Sequence, residues 1–423
     1  MDRIYSNAIV FIFVAVLVWF PATPADASEE EAPSPISVSS LIEEALGNNP
    51  SILSMKHRWE AAKQEVPQAR AFDDPQLTLT QWAIPSNFNL FGADETWVGI
   101  EQALPFPGKR SLRGRVAEKA AEVDEQNYRA AIRSIMTDVK TTYAQLFLAR
   151  KMIDLHLEHQ ALLEEFVEIA QRRYTVGQVP HQDLLKAQME RSKLHRSLLV
   201  AEQETISLQT EMNRLLNRPP DSSIGPIEEL GARSFPITID ALTAQTLANR
   251  PELKAATLTI RQREQAVALA KKNYLPDFTV GVTHWNVHSG ANQWQAAVKM
   301  NLPWIFQGKY DARAQQTAIE EQRARTDFLA LHGATLAQLQ DLFTKVKSAE
   351  QLIEVYREGV LPQAEQLLES ARIGYRAGRV GFLDVIDSER TLRDVQLDYY
   401  SALSQFWRRV AELERLVGTE LTL

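Results

Sequence analysis

Cysteine is absent from all 423 residues. That excludes disulfides, thiolate metal sites, a cysteine nucleophile and the lipid anchor that an N-terminal Cys would carry. Basic clusters are missing too: the net charge is −8, with no run of Lys or Arg. Nucleic acid is therefore not an expected partner, because phosphate binding needs concentrated positive charge. Glycine is scarce for a β-rich chain, at 17 residues. The abundance of Ala, Leu, Glu, Gln and Arg instead favours long helices. Beyond the first residues, no stretch approaches the ~20 apolar residues of a transmembrane helix.

The first 27 residues read as a secretory signal. Arg3 precedes an uncharged apolar run from Ala8 to Phe20, and Ala25-Asp26-Ala27 supplies small residues for cleavage before Ser28. The alternative, a membrane anchor, needs a longer apolar run.

Self-comparison at an offset of 201 residues organises the rest. Leu41 pairs with Leu242, Asn48 with Asn249, Pro50 with Pro251, Pro75 with Pro276, Tyr174 with Tyr375, Gly177 with Gly378, Asp183 with Asp384, and Leu215 with Leu416. The chain is thus two copies of one unit, 28–217 and 237–423, joined by a Pro-rich linker at 218–236. Each copy has a helix (38–71 in the first), two strands, and a long helical hairpin (109–217 and 309–418). Between Arg115 and Val176 there is neither Gly nor Pro. A helix from Lys109 to Tyr174 would be roughly 100 Å long at ~1.5 Å per residue. Gly333, Gly359 and Pro362 predict a bend or break in the second copy.

Leu194, Ala201, Leu208 and Leu215 recur every seventh residue, as do Val385, Leu392, Tyr399, Phe406 and Leu413. A seven-residue period marks a coiled-coil seam, where an ordinary amphipathic helix would follow 3.6. The seams are expected to pack on each other and on neighbouring protomers, leaving little of them buried in one protomer alone.

Four strand-like runs, 75–84, 95–104, 276–286 and 293–303, have the length of tilted membrane strands. In the last, Trp294, Ala296, Val298, Met300 and Leu302 oppose Gln295, Ala297, Lys299 and Asn301, an apolar face for lipid and a largely polar one for a lumen. Trp82, Trp97, Trp285 and Trp294 sit near the loop-side ends, where membrane-interface aromatics belong. A soluble four-stranded sheet is the competing reading. Four strands leave two edges, and hydrocarbon tolerates none. Two protomers would make a filled eight-stranded barrel; three would make twelve strands with a lumen.

The duplicated "NNP" and "NRP" segments, the "LPFPGKR" and "LPWIFQGKY" corners, and the turns "RRYTVGQVPHQDLL" and "GYRAGRVGFLDVID" resemble the TolC-type outer-membrane efflux family over essentially the whole mature chain. The PGKR corner and short length are most similar to its heavy-metal-efflux, CzcC-like branch. The resemblance implies a mostly α homotrimer, a 12-stranded β-barrel in outer-membrane lipid above a periplasmic α-helical barrel. It also implies a periplasmic adaptor and a proton-driven inner-membrane pump. Metal-ion efflux competes with drug efflux and type I protein secretion as the cargo class. The paired turns would form the periplasmic gate, with Asp183, Tyr375, Asp384 and Asp387 carried over by motif. Val380 stands where the family has a tip arginine, and Arg379 is its neighbour. Outside the family, the rival reading is a periplasmic coiled-coil scaffold or adaptor.

Asp183 and Asp384 each open a helix after a Gly turn, where a carboxylate is stabilised by the helix dipole. Asp387 has Lys186 as its repeat partner, so the fold does not call for an acid there. Asp384 and Asp387 share a helix face, and three copies would ring an aperture with six carboxylates that attract cations. Tyr375 or Arg379 would bond to acceptors such as Asp183 as a latch. His156 and His159, with no third ligand nearby, read as solvated surface rather than metal ligands. Gly108-Lys109-Arg110-Ser111 lacks the first Gly of a phosphate loop. No catalytic constellation, cofactor site or metal site is recognised, and an enzyme is not expected.

Overall fold

The computed structural model describes residues 35–86, 93–287 and 290–422, and the expected leader at 1–27 lies outside them. Two short helices, α1 (Val38–Asn48) and α2 (Pro50–Arg70), replace the single helix expected over 38–71. Proline holds the preceding residue extended, and Asn49 obeys with φ −69° and ψ 121°. Its side chain then caps α2 by accepting from the Ser51 N–H. The second copy repeats the device: α5 (Ile239–Asn249) gives way to α6 (Pro251–Lys272) across an extended Arg250.

Strands β1 (Gln76–Trp82), β2 (Glu95–Leu104), β3 (Phe278–Val287) and β4 (Gln293–Met300) form one antiparallel sheet in the order β1-β2-β3-β4. Three depart from their expected spans for local reasons. β1 stops at Trp82 because Ala83 takes a left-handed φ of 56°. β3 begins late because Asp277 is engaged at a corner: its carboxylate accepts from the Phe106 N–H and Lys109 Nζ, 2.7 and 2.8 Å away. β4 ends before Pro303, which cannot donate to a ladder and opens a 3-10 turn, Pro303–Phe306.

The register puts Leu77, Ile100, Val282 and Ala296 in one row across the sheet, followed by Leu79, Val98, His284 and Trp294. This face is largely apolar and exposed in the protomer, Leu77 at 76% and Val298 at 73%, with Gln102 beside Val280 and the loop-end row Gln81, Thr96 and Asn286 as its polar positions. The opposite face carries Thr78, Thr80, Thr279, Thr283 and Gln295, with an ion pair from Lys299 to Glu101 at 2.5 Å.

Below the sheet, α3 (Lys109–Thr175) runs unbroken for 67 residues, about 100 Å at ~1.5 Å per residue. It turns back into α4 (His181–Leu216). In the second copy α7 (Gln307–Val355) passes Gly333 without interruption. The expected break falls at a π turn, Tyr356–Val360, before α8 (Leu361–Arg376) and α9 (Phe382–Val417). Pro362 has no N–H for the helical ladder, and the wider turn absorbs the missing bond.

Heptad residues line the core as expected: Leu194, Ala201, Leu208 and Leu215 are buried, as are Val385, Leu392, Phe406 and Leu413. One protomer buries them by itself, contrary to the expectation that assembly would do so. Leu403, at 2% exposure, already packs in a cluster that joins Phe147 on α3 to Leu339 on α7 and Phe406 on α9.

The 218–236 segment is pinned rather than slack. Arg150 donates to the carbonyls of Ile224 and Gly225, Ile36 bridges Ile227, and Phe235 is fully buried. Among the described residues no helix is long and apolar enough to cross a membrane.

Candidate functional site

Two hairpin turns at the far end of the helices hold the candidate gate residues. Gly177 and Gly378 adopt φ of 73° and 70°, which only glycine takes freely. Each closes its helix with the same pair of bonds: Gly177 N–H to Tyr174 O and Gln178 N–H to Arg173 O, matched by Gly378 to Tyr375 and Arg379 to Gly374.

Beyond the turns the copies diverge. Asp384 accepts a hydrogen bond from the Gly381 N–H at 3.0 Å, fixing the start of α9. Asp183 has Pro180 at the equivalent place, and proline has no N–H to give. So Asp384 has a structural partner that Asp183 lacks. Asp387 is exposed, one turn along α9.

Tyr375 is buried at 5% exposure, and among the described residues its hydroxyl makes no hydrogen bond. Within a protomer the expected bond between Tyr375 and Asp183 is not made. Instead the Arg173 guanidinium lies 4.1 Å above the Tyr375 ring, and its Nη2 is 3.5 Å from the Tyr375 carbonyl. Phe382 packs against the ring from α9 at 5.7 Å between centroids. Burial pushes the Tyr375 phenol above its ordinary range; Arg173 pulls it down and Asp183 pushes it further up. Arg379 is exposed and forms no side-chain ion pair among the described residues. Sequence reasoning missed Arg173. The signal was there: the position opposite it in the second copy is Gly374.

Further up the helices, the reading of His156 and His159 as solvated surface is overturned. They are 4% and 1% exposed. His159 Nδ1 lies 2.8 Å from Glu389 Oε1, and its Nε2 lies 2.8 Å from Gln396 Oε1. This joins α3 to α9. Arg393 stands 4.0 Å from the other oxygen of Glu389. Burial disfavours the charged imidazole of His159, but the hydrogen bonds to Glu389 and Gln396 outweigh it and raise its pKa. Burial, then Arg393 and His159, lower that of His156. The missed signal is Glu389 itself, an acid on the buried seam between Val385 and Leu392. No group of acids and histidines suited to a metal ion occurs among the described residues.

At the sheet, strand parity corrects the tryptophan assignment. Trp82, Trp97 and Trp285 lie on the face of Thr80, Glu101 and Lys299, not on the apolar face. They stack, with centroids 6.1 and 4.7 Å apart, and Trp97 donates to Glu95 at 2.9 Å. Only Trp294 is on the apolar face, beside His284 and 74% exposed. Position along a strand had suggested an interface; the two-residue period decides the side.

The profile of the outer membrane efflux protein family matches residues 41–218 and again 242–419. The cobalt-zinc-cadmium resistance protein CzcC of Cupriavidus metallidurans is 22% identical over 395 residues, 92% of this chain and 91% of that protein. The outer membrane protein TolC of Vibrio cholerae is 20% identical over 408 residues, 90% of this chain and 91% of that protein. Among solved structures, the outer-membrane channel OprN superposes with a TM-score of 0.78 at 16% identity, covering 90% of this chain and 89% of OprN. CusC gives 0.77 at 17%, covering 90% and 92%.

Proposed function

From the premise that this chain belongs to the outer membrane efflux protein family, we propose that three copies form a passive exit duct in the outer membrane. The sheets close into a 12-stranded barrel, and the helices form a tunnel reaching into the periplasm. The observation that carries this reading is a sheet with two unpaired edges and an exposed apolar face, set above helices too long for a compact globule. Open edges are not stable in hydrocarbon, so copies must share the barrel. Three give twelve strands, enough for a lumen.

Energy comes from an inner-membrane pump, and a periplasmic adaptor joins pump to duct at the helical tip. Tyr375 and Arg173 hold the tip closed, with Asp183, free of a capping role, as the acceptor offered to a neighbouring protomer. An adaptor opens the tip by competing for these contacts, a shift between two populated states. No chemistry is performed by the duct. Native mass spectrometry and planar-bilayer recording of detergent-purified protein test the reading. A conducting trimer is expected; a water-soluble monomer overturns it.

Divalent metal cations are the favoured cargo class, supported by the likeness to CzcC over nine-tenths of both chains. Zinc and cobalt tolerance in a strain lacking its own metal-efflux duct is the measurement. Rescue of bile-salt tolerance alone would assign drug efflux instead.

A further inference from the structure

Where the sheet meets the helices, a cavity of about 1150 Å³ opens on the apolar face of the sheet. Its upper wall is Leu104, Phe278, Val280 and Val298, all on that face. Its lower wall is basic: Arg70 at the end of α2, with Arg110 and Arg115 in the first turns of α3. One acid, Glu118, faces the same cavity.

The arginines are positioned rather than loose. Arg110 donates to the Arg70 carbonyl through Nε and Nη2, 2.9 and 2.5 Å away, and its guanidinium lies 3.3 Å over the Phe72 ring. Arg70 crosses α3 at Gly114, where a Cβ would come within 2.3 Å of the Arg70 side chain. This buried glycine of α3 makes the seat for that arginine. Arg70 pairs with Glu118 at 2.6 Å. Arg115 is held by Ser111 and Gln265, both at 2.9 Å. Each guanidinium presents five N–H donors, so these contacts leave donors over.

We propose that this cavity is a binding site for an anionic phospholipid of the inner leaflet of the outer membrane. The acyl chains lie on the Leu104–Val298 wall, and the phosphate is held by Arg70, Arg110 and Arg115. The layering matches a bilayer boundary, apolar above and cationic below, continuous with the sheet face that meets lipid. Three arginines against one carboxylate leave the lower wall net positive, which selects an anionic headgroup over a zwitterionic one. Arginine also suits the site chemically, because its planar fork meets phosphate oxygens two at a time. The helices mark this end of the sheet as periplasmic, which assigns the leaflet.

The site rests on the membrane placement of the barrel, and its test separates the two. Native mass spectrometry of the detergent-released protein counts subunits and retained lipid in the same spectra. Dioleoylphosphatidylglycerol is the probe, dioleoylphosphatidylcholine the zwitterionic comparison and inorganic phosphate the soluble competitor. Phosphatidylglycerol is expected to be retained preferentially and to resist displacement by phosphate. Arg115→Gln, which among the described residues gives up hydrogen bonds only to Ser111 and Gln265, is expected to lower retention about fivefold, the factor for one lost arginine at an anionic lipid surface. Arg115→Lys is expected to restore most of it, and Arg110→Gln added to Arg115→Gln to lower it further. Equal retention of the two lipids, or unchanged retention in Arg115→Gln, overturns the proposal. Full displacement by inorganic phosphate overturns it in favour of a soluble-anion site.

Discussion

The long helices of the two repeat copies began as the same sequence unit, yet they meet different surroundings in one protomer. α3 is packed by α2 and α6 along its upper half and by α4 and α9 lower down, and it buries Val139, Leu146, Leu163 and Phe166. α7 packs against α6 and α9, and its outer flank leaves Ile319 and Leu329 at 69% and 68% exposure. The sheet shows no such contrast, since each copy supplies one strand paired on both sides, β2 or β3, and one strand with a free edge, β1 or β4. The two copies thus differ along their long helices while sharing the sheet evenly. The bare flank of α7 is what a neighbouring protomer would cover, and a three-fold assembly would extend at the free edges a pairing that the chain first makes with itself.

The largest expected effect separates these two kinds of apolar residue. Leu403→Asp places an unpaired charge in a cluster at 2% exposure. Truncating a buried leucine alone costs about 2–5 kcal/mol, and a buried charge adds to that. Circular dichroism and heating should show a protomer that no longer folds cooperatively. Ile319→Asp with Leu329→Asp should keep its helical signal and lose the trimer by native mass spectrometry. Heat-resistant trimers from the double variant would mean that the bare flank of α7 is not the interface.

A smaller effect is expected where α3 meets α9. The pKa of His159 is raised, so its contribution to stability is full below the ordinary histidine value of ~6.5 and fades as pH rises through the raised value. That of His156 is lowered, so its contribution is present above ~6.5 and fades as pH falls. Glu389, Arg393 and Gln396 are the other polar groups at this contact. Melting temperature against pH should therefore peak near ~6.5. His159→Gln should flatten the alkaline side of the peak, and His156→Gln the acid side. An alkaline side unchanged in His159→Gln would remove this pair as its origin.

At the tip, Arg173→Ala removes the guanidinium from the Tyr375 ring without touching the turn. A cation over an aromatic ring is worth roughly 0.5–1 kcal/mol at exposed sites and about 2 when desolvated. If Arg173 is part of the closure, the open fraction rises about 2-fold to 30-fold, read as increased single-channel conductance with trimer stability nearly unchanged. No increase would place the closure elsewhere.

Much of this architecture was legible in the sequence because it rests on periods and punctuation. The 201-residue offset, the seven-residue seam and the paired Gly turns all follow from local spacing. The elements that escaped depend on which side of an element a residue takes and what it meets there. Position along the strand says nothing of the face that Trp82, Trp97 and Trp285 take, which follows only when strand parity is counted from Thr78 and Thr80. The burial of His159 is hidden in the sequence because its partner, Glu389, lies 230 residues away. Arg173 carries no local signal of its role because its partner, Tyr375, is in the other copy.

The finest distinction lies between Asp384 and Asp387, three residues apart on α9. The sequence groups them as one cation-attracting ring, yet only Asp384 is bound to the backbone at the start of α9. The Asp384 carboxylate is bound to the Gly381 N–H at 3.0 Å, where it neutralises the positive end of the helix. A charge so placed is partly spent on its own backbone, and its loss should appear first as fraying of the tip. Asp387 follows Asp384 on the same face with no capping duty, and the first copy has Lys186 in its place. In a trimer Asp387 would contribute three carboxylates free to meet passing cations. Asp387→Asn is therefore expected to weaken block by a multivalent cation added on the tip side and to lower cation preference, with Tm unchanged. Asp384→Asn is expected to do the reverse, lowering the stability of the tip with little change in block. If Asp384→Asn abolishes block while Asp387→Asn leaves it intact, the roles are exchanged. If neither changes block or selectivity, the two acids form no ring, and Asp384 is left with its helix-start role alone.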